Sequence, residues 1–309
     1  MVLFLKKVLQ FSIATLIVYL AFVFTLGRSG IMFKGLNFFP LGPSRLANRI
    51  EDLGAIKELD VLFMGSSHSF MSFDPRIFKS SGYSAFNLGS VAQTPVQAEY
   101  LYLNYVERLK IDLIIYEVCP DDISDPGVES NIDFLNSLKM DWSLFNMTWR
   151  LKTFRSINTM VFSVLNGFTG GNYSASQDNG YIRGTGFSPV YETKREDNKE
   201  YKLREVEVNQ KQWKALFNLT ENWRTNGQNF ILIQAPVKTR FYSSIKNAKM
   251  TDSIFNDLGP YINFNIPENR LKLDLNDSID FFNSHHLNQY GVEKFNQILL
   301  DQLFLKNPK

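Results

Sequence analysis

A serine near the start of the chain and a histidine near its end could together catalyse acyl transfer. Ser67 lies in the run Gly65-Ser66-Ser67-His68, directly after an apolar stretch. The chain has three histidines, and the other two are His285 and His286. A serine hydroxyl needs a base to become a nucleophile, and imidazole is the usual base. We therefore expect a Ser67 nucleophile paired with a histidine from a late loop.

Each of these polar residues also has a purely structural interpretation. A serine or an aspartate between a strand and the helix that follows it commonly caps the N-terminus of that helix. The alternative is a place in the substrate pocket, which we predict for Ser66, His68, Asp121 and His285. No His-x-x-x-His pair occurs, so we expect no metal site and no cofactor.

Short apolar runs alternate with helical patterns over much of the chain. The runs that predict strands are residues 60–64, 83–88, 111–118 and 229–234, with 271–275 as a candidate fifth. Helical periodicity covers residues 95–110 and about 203–225. This alternation predicts a parallel sheet with helices on both faces. Ligands bind such sheets outside the carboxyl ends of the strands, where Ser67 and Asp121 follow their runs.

The alternation stops within an insertion at about residues 127–200. Residues 136–165 are aromatic-rich and predict helix, whereas residues 168–200 are polar and glycine-rich and predict a loop. Long loops inside compact domains are usually functional or mobile. We expect a cap or lid beside the strand ends, with a helical pair and a loop of no function as the alternative.

The N-terminal segment is typical of a membrane anchor. Residues 8–26 contain no charged side chain and would reach roughly 28 Å as a helix, close to the hydrocarbon thickness of a bilayer. No cleavage site of the signal-peptide kind follows, and a buried core helix would have a polar face. We predict an uncleaved anchor at residues 1–30 and a linker at 31–57. Lysines and arginines are nearly equal in number on the two sides of this anchor. The positive-inside rule therefore does not decide which side of the membrane the domain faces.

Composition excludes several classes of protein. Lysine and arginine number 33 against 31 aspartates and glutamates, for a formal charge of +2. Nucleic-acid binding usually requires a basic excess, so we expect no such partner. The single cysteine, Cys119, cannot form an intrachain disulfide and is expected to pack as a small apolar side chain.

Taken together, these residues resemble the SGNH/GDSL superfamily of esterases and acyltransferases. Four blocks carry the resemblance in the expected order: residues 65–68, 87–89, 118–122 and 283–288. It implies a flavodoxin-like, three-layer α/β/α domain over residues 58–309, with Ser67 as nucleophile and His286 as base. It also implies that the backbone N–H groups of Ser67 and Gly89 form the oxyanion hole.

Two departures from the family pattern bear on catalysis. Asn283 occupies the position of the family's aspartate. It can orient an imidazole but cannot neutralise the imidazolium, so Asp280, or Asp277 upstream, is a candidate replacement carboxylate. The third block lacks its usual asparagine donor to the oxyanion. Asn87 and Gln93, with Ser90, are the candidate substitutes.

The anchor extends the resemblance to membrane-tethered members, such as teichoic acid D-alanylation and alginate O-acetylation proteins. They imply a single-pass protein of the inner (plasma) membrane with its catalytic domain on the periplasmic or extracellular side. The implied substrate is an acylated carbohydrate or envelope polymer, and the implied partner is a membrane-bound acyltransferase. Two hypotheses follow: a serine esterase or O-acyltransferase, or a catalytically degenerate binding or assembly protein of envelope polysaccharide modification.

Overall fold

A five-stranded parallel sheet forms the centre of the protein. The computed structural model describes residues 1–29, 45–169, 180–194 and 201–304. The strands are β1 (Glu58–Met64), β2 (Ala85–Asn87), β3 (Lys110–Glu117), β4 (Phe230–Gln234) and β5 (Tyr261–Asn263). Their order is β2-β1-β3-β4-β5, and every neighbouring pair is parallel. The predicted parallel sheet is therefore confirmed.

Helices cover both faces of the sheet. The α-helices of the described residues are α1 (Val2–Ser29), α2 (Leu46–Gly54), α3 (Ser67–Phe70), α4 (Pro75–Ser80), α5 (Pro95–Leu101), α6 (Val128–Ser137), α7 (Trp142–Leu151), α8 (Phe154–Phe168), α9 (Gln210–Thr225), α10 (Thr239–Tyr242), α11 (Ala248–Leu258), α12 (Pro267–Arg270) and α13 (Gln289–Leu303). Alternate β1 residues enter two separate cores, because successive strand side chains point to opposite faces. Leu62 packs with Leu101 and Trp223 of α5 and α9, whereas Phe63 packs with Phe78 and Phe295 of α4 and α13. The three-layer α/β/α prediction is confirmed.

Two predicted elements outside the insertion differ from the structure. Residues 271–275 are not a strand: Leu271–Leu273 is a 3-10 helix, Asp274 has a φ of 48°, and Leu271 is 83% exposed. The fifth strand is β5, a run too short for strand periodicity to reveal. The helix predicted from 203 begins at Gln210, where the Asn209 side chain accepts a hydrogen bond from the Lys211 N–H.

The insertion forms a three-helix layer and a return segment. Residues 136–165 are interrupted twice, where α6 ends at extended Leu138 and α7 ends at left-handed Lys152. Residues 180–194 then return to the sheet, where the Thr185 carbonyl accepts from the Asn87 N–H at 2.9 Å. The segment therefore covers the free edge of β2. Residues 170–179 and 195–200 of the predicted loop lie outside the described residues.

Helix α1 is, among the described residues, the one helix long and apolar enough to cross a membrane. Its side chains are exposed over residues 1–18, and its later residues pack against α8. Part of the predicted linker, residues 30–44, lies outside the described residues. The remainder includes α2, whose Leu46 and Leu53 are fully buried in the core of the domain.

Candidate active site

A sharp turn after β1 brings Ser67 to the carboxyl edge of the sheet. Gly65 has a φ of 132°, and a side chain there would meet the Glu117 carbonyl oxygen at 2.8 Å, so glycine is required. Ser66 caps α3 by accepting from the His68 N–H at 3.3 Å. Ser67 is the first residue of α3. Its hydroxyl therefore stands where ligands of parallel sheets bind.

A tight loop before α13 positions His286. The Phe282 N–H donates to the His286 carbonyl at 2.9 Å, and the Asn288 N–H donates to the Asp280 carbonyl at 3.1 Å. Asn288 then caps α13, since its Oδ1 accepts from the Gly291 N–H at 3.1 Å. These backbone hydrogen bonds hold both ends of the loop, which limits the movement of the His286 backbone.

The two groups predicted to react are in hydrogen-bond contact. Ser67 Oγ lies 2.8 Å from His286 Nε2, although 219 positions separate the residues in the chain. This distance is within the range that proton transfer between a nucleophile and its base requires. The arrangement is that of a hydroxyl–imidazole dyad.

Asn283 determines which imidazole nitrogen carries the proton. Its Oδ1 accepts from the backbone N–H groups of His285 and His286, at 3.0 and 2.9 Å. The amide is thereby oriented with its Nδ2 facing His286 Nδ1 at 3.1 Å. An amide nitrogen can only donate, so Nδ1 must accept. The neutral imidazole then carries its proton on Nε2 and donates it to Ser67.

Burial and the other two histidines favour the neutral form of His286. The ring centroid of His286 lies 5.0 Å from that of His68 and 4.2 Å from that of His285. Burial, and then the neighbouring His285, lower the pKa of His68 to about 3. Burial, followed by His68 and His285, holds the pKa of His286 well below its usual range. An imidazolium at His286 is therefore disfavoured.

Three of the predicted oxyanion donors are engaged elsewhere. The Gly89 N–H donates to Asn87 Oδ1 at 2.9 Å, and Asn87 Nδ2 donates to the carbonyls of Ser69 and Phe73. Gln93 Nε2 donates to Ser90 Oγ at 2.8 Å. Asn87, Gln93 and Ser90 are fully buried. These groups support the turn after β2 and are not directed at a substrate, which leaves the Ser67 N–H as the predicted donor without a partner among the described residues.

Neither candidate carboxylate replaces the missing aspartate. Asp280 Oδ2 accepts from Lys294 Nζ at 2.8 Å and from the Asn276 N–H at 2.7 Å. Asp277 is paired with Arg270 at 2.6 Å. Within the described part of the chain, no hydrogen bond joins either carboxylate to His286. The expectation that Asp280 or Asp277 orients the imidazole is therefore wrong for this structure.

The predicted pocket residues divide into two groups. His68 and His285 lie beside His286, and His285 Nδ1 contacts Ser284 Oγ at 3.0 Å. Ser66 is a buried helix cap, and Asp121 forms an ion pair with Arg204. No cluster of metal-ligating side chains occurs in the described ranges.

Two residues near the site escaped the sequence analysis. Phe241 of α10 packs its ring 5.3 Å from that of His285, and nothing in a four-residue helix marks it. Glu117 is fully buried at the end of β3 beneath Gly65, and burial followed by the neighbouring Asp122 raises the pKa of its carboxyl well above its usual range. A carboxylate directly after the apolar residues 113–116 was the available signal.

Comparisons with solved structures found several similar chains, two of which are described here. No protein-family description matches the chain, and no curated protein matches it either. A provisionally assigned acylhydrolase from Bacteroides fragilis has 12% identity, a TM-score of 0.41, and coverage of 84% of this chain and 95% of its own. A GDSL-like lipase from Bacteroides thetaiotaomicron has 11% identity, a TM-score of 0.40, and coverage of 84% and 96%. We base the function on the geometry of the site.

Proposed function

We propose that this protein is a membrane-anchored serine esterase or O-acyltransferase that acts on acylated carbohydrate or polymer of the cell envelope. The observation that supports it is the 2.8 Å contact between Ser67 Oγ and His286 Nε2 at the carboxyl edge of the sheet. The oxygen of Ser67 attacks the acyl carbonyl carbon while His286 takes its proton. The proton then passes to the departing alcohol oxygen, and the acyl group remains on Ser67. Water or a sugar hydroxyl, deprotonated by His286, then attacks the acyl carbon. The bond from that carbon to Ser67 Oγ breaks, and Ser67 Oγ takes the proton back from His286.

Asn283 makes the first proton transfer slow. Nε2 accepts the serine proton only in the tautomer that has its hydrogen on Nδ1, and that hydrogen would face the donor Nδ2 of Asn283. Losing one buried hydrogen bond costs about 1–3 kcal/mol. The competent tautomer is therefore populated about 5- to 150-fold less than the resting one, because about 1.4 kcal/mol is a factor of ten.

Helix α1 anchors the domain in the membrane in this proposal. Its length and lack of charge over residues 8–26 support a single span of the inner (plasma) membrane. The resemblance to tethered acylation proteins supports a domain on the periplasmic or extracellular side. It also supports a membrane-bound acyltransferase as a partner.

A fluorophosphonate probe tests the nucleophile. The full-length protein in detergent should be labelled, and Ser67→Ala should lose the label. Ser278→Ala, which alters an exposed serine shortly before the loop that carries His286, should retain it. Equal labelling of Ser67→Ala and wild type would remove Ser67 from the mechanism.

The second candidate is a catalytically degenerate protein that binds or assembles envelope polysaccharide. The amide of Asn283 and the engaged donors at Gly89, Asn87 and Gln93 favour it. Hydrolysis of p-nitrophenyl acetate separates the two candidates. Turnover that Ser67→Ala abolishes excludes the degenerate protein, whereas folded wild type with neither label nor turnover supports it.

A further inference from the structure

Basic side chains collect on two segments of the chain beside the active site. Residues 201–204 and 238–249 contain six lysines and arginines and no aspartate or glutamate. These cations are Lys202, Arg204, Lys238, Arg240, Lys246 and Lys249. The whole chain has 33 basic and 31 acidic side chains, so the rest of the protein is net negative. We call the two segments the basic strip.

Hydrogen bonds and burial hold the two segments of the basic strip together. The Arg204 N–H donates to the Ser244 carbonyl, and the Lys246 N–H donates to the Arg204 carbonyl, both at 2.9 Å. Ile245, between Ser244 and Lys246, is buried in the core of the domain. The strip therefore presents its charges from a fixed backbone, which lowers the entropy lost when a ligand binds.

The basic strip adjoins the catalytic histidine. The Lys238 N–H donates to the carbonyl of Ser284 at 2.9 Å, directly before His285 in the chain. The ring centroid of Phe241 lies 5.3 Å from that of His285, which in turn lies 4.2 Å from that of His286. A long ligand that reaches the dyad can therefore continue onto the strip.

Most cations of the basic strip are available to a ligand. Arg204 is paired with Asp121. Asp277, which accepts from the Thr239 N–H, is paired with Arg270 outside the strip. Among the described residues, no acidic side chain forms an ion pair with the other five cations. The fully exposed ones are Lys202, Arg240, Lys246 and Lys249. Like charges grouped without partners attract an anion.

We propose that the basic strip binds the repeated anionic groups of a polysaccharide whose ester the Ser67–His286 dyad attacks. The inference rests on the proposed function and narrows its substrate to a polymer with carboxylate or phosphate groups. A small anion would occupy few of these cations, whereas a polymer with many charges fits two joined segments of them. A nucleic acid carries repeated charge but no acyl ester for the dyad to attack.

Fluorescence anisotropy of end-labelled polymers tests the basic strip on the full-length protein in detergent. The probes are polygalacturonate, phosphorylated dextran and neutral dextran of similar length, with polyadenylate as a polyanion of another class. The strip variant combines Arg240→Gln with Lys246→Gln, both at exposed positions. The control variant combines Lys57→Gln with Lys110→Gln, which removes two exposed charges at the amino edge of the sheet.

Both anionic polysaccharides should bind wild type at low salt and neutral dextran should not, and the tighter of the two identifies the preferred anion. The strip variant should bind about 2- to 30-fold more weakly and the control variant as wild type does. The difference should shrink at high salt, which screens exposed charges. Equal loss in both variants, no loss in the strip variant, or binding of neither anionic polysaccharide would overturn the inference. Polyadenylate bound as tightly as the polysaccharides would also overturn it, because the strip would then take any polyanion.

Fluorophosphonate labelling of Ser67 in the same preparation separates this inference from the proposed function. A labelled wild type that binds no anionic polysaccharide would overturn the inference and leave the reaction in place. Binding that the strip variant weakens, in a wild type without label, would remove the reaction and keep the strip as a polysaccharide site.

Discussion

The amide nitrogen of Asn283 faces Nδ1 of His286 at 3.1 Å, while its oxygen accepts from two backbone N–H groups of the same loop. A carboxylate in that position could accept from both backbone groups and also from an Nδ1–H. One side-chain atom therefore separates a resting imidazole that donates to Ser67 from one that accepts from it. Replacing Asn283 should therefore change both the activity and its pH dependence.

Asn283→Asp should raise esterase activity. The new oxygen accepts from Nδ1–H, which favours the base-competent tautomer and stabilises the imidazolium that forms. The opposite change in a serine protease costs about 10⁴ in turnover, so we expect a gain of about 10²-fold or more. Asn276→Asp adds the same charge at an exposed position of the same loop and should leave kcat unchanged. A gain in both variants, or in neither, would contradict the role given to Asn283.

The pH dependence of kcat/KM should differ between wild type and Asn283→Asp. Burial and two neighbouring histidines hold the pKa of His286 well below its usual range, so wild-type His286 stays neutral as the pH falls below about 6.5. A carboxylate beside Nδ1 favours the charged form and raises that pKa. The acid limb of the profile should therefore move to higher pH in the variant. A limb that stays in place would contradict this account of the environment of His286.

His68 should make the folded state less stable in acid. Its pKa of about 3 in the folded protein lies below that of the unfolded chain, which binds a proton near pH 6.5. Below about pH 6.5 the unfolded state gains a proton that the folded state does not, at roughly 1.4 kcal/mol per pH unit until the pH approaches 3. Urea unfolding at several pH values should give a shallower decline for His68→Gln. Parallel declines would mean that His68 is protonated in the folded protein.

Gly186 should be essential to the segment that covers β2. Its φ is 74°, and a Cβ there would overlap the carbonyl oxygen of Asn87. Gly184 has nearly the same φ, 75°, with open space around it. Gly184→Ala should cost about 1 kcal/mol for the backbone alone, and Gly186→Ala clearly more. Amide exchange of Asn87, whose N–H donates to Thr185, should quicken in Gly186→Ala and not in Gly184→Ala. Equal exchange in both variants would contradict this packing.

The sequence was most informative for site residues that lie directly after a buried strand. Ser67 follows a strand whose four terminal residues are all buried, and the parallel arrangement could be predicted from such runs. A contact between Ser67 and a histidine of the late loop was expected from residue types, and the family resemblance implied that this histidine is His286. The same resemblance implied that Asn283 stands in the position of an aspartate.

The remaining features depend on contacts between distant residues. Asn87 and Gln93 were expected to face the substrate, but their partners, such as the carbonyl of Phe73 and the hydroxyl of Ser90, turn them into the core. The strand β5 has three residues, too few for periodicity, and it is defined by its pairing with β4. The pairing of Asp280 with Lys294 likewise follows from the packing of α13 against the loop.

Mass spectrometry of the fluorophosphonate-treated protein tests the Ser67–His286 dyad most directly. We predict a phosphonyl group on the peptide that contains Ser67, formed at least tenfold more slowly in His286→Gln, since general-base assistance contributes about 10²–10⁴-fold. Absence of the adduct from Ser67 in folded protein, or equal rates of its formation in wild type and His286→Gln, would contradict the dyad.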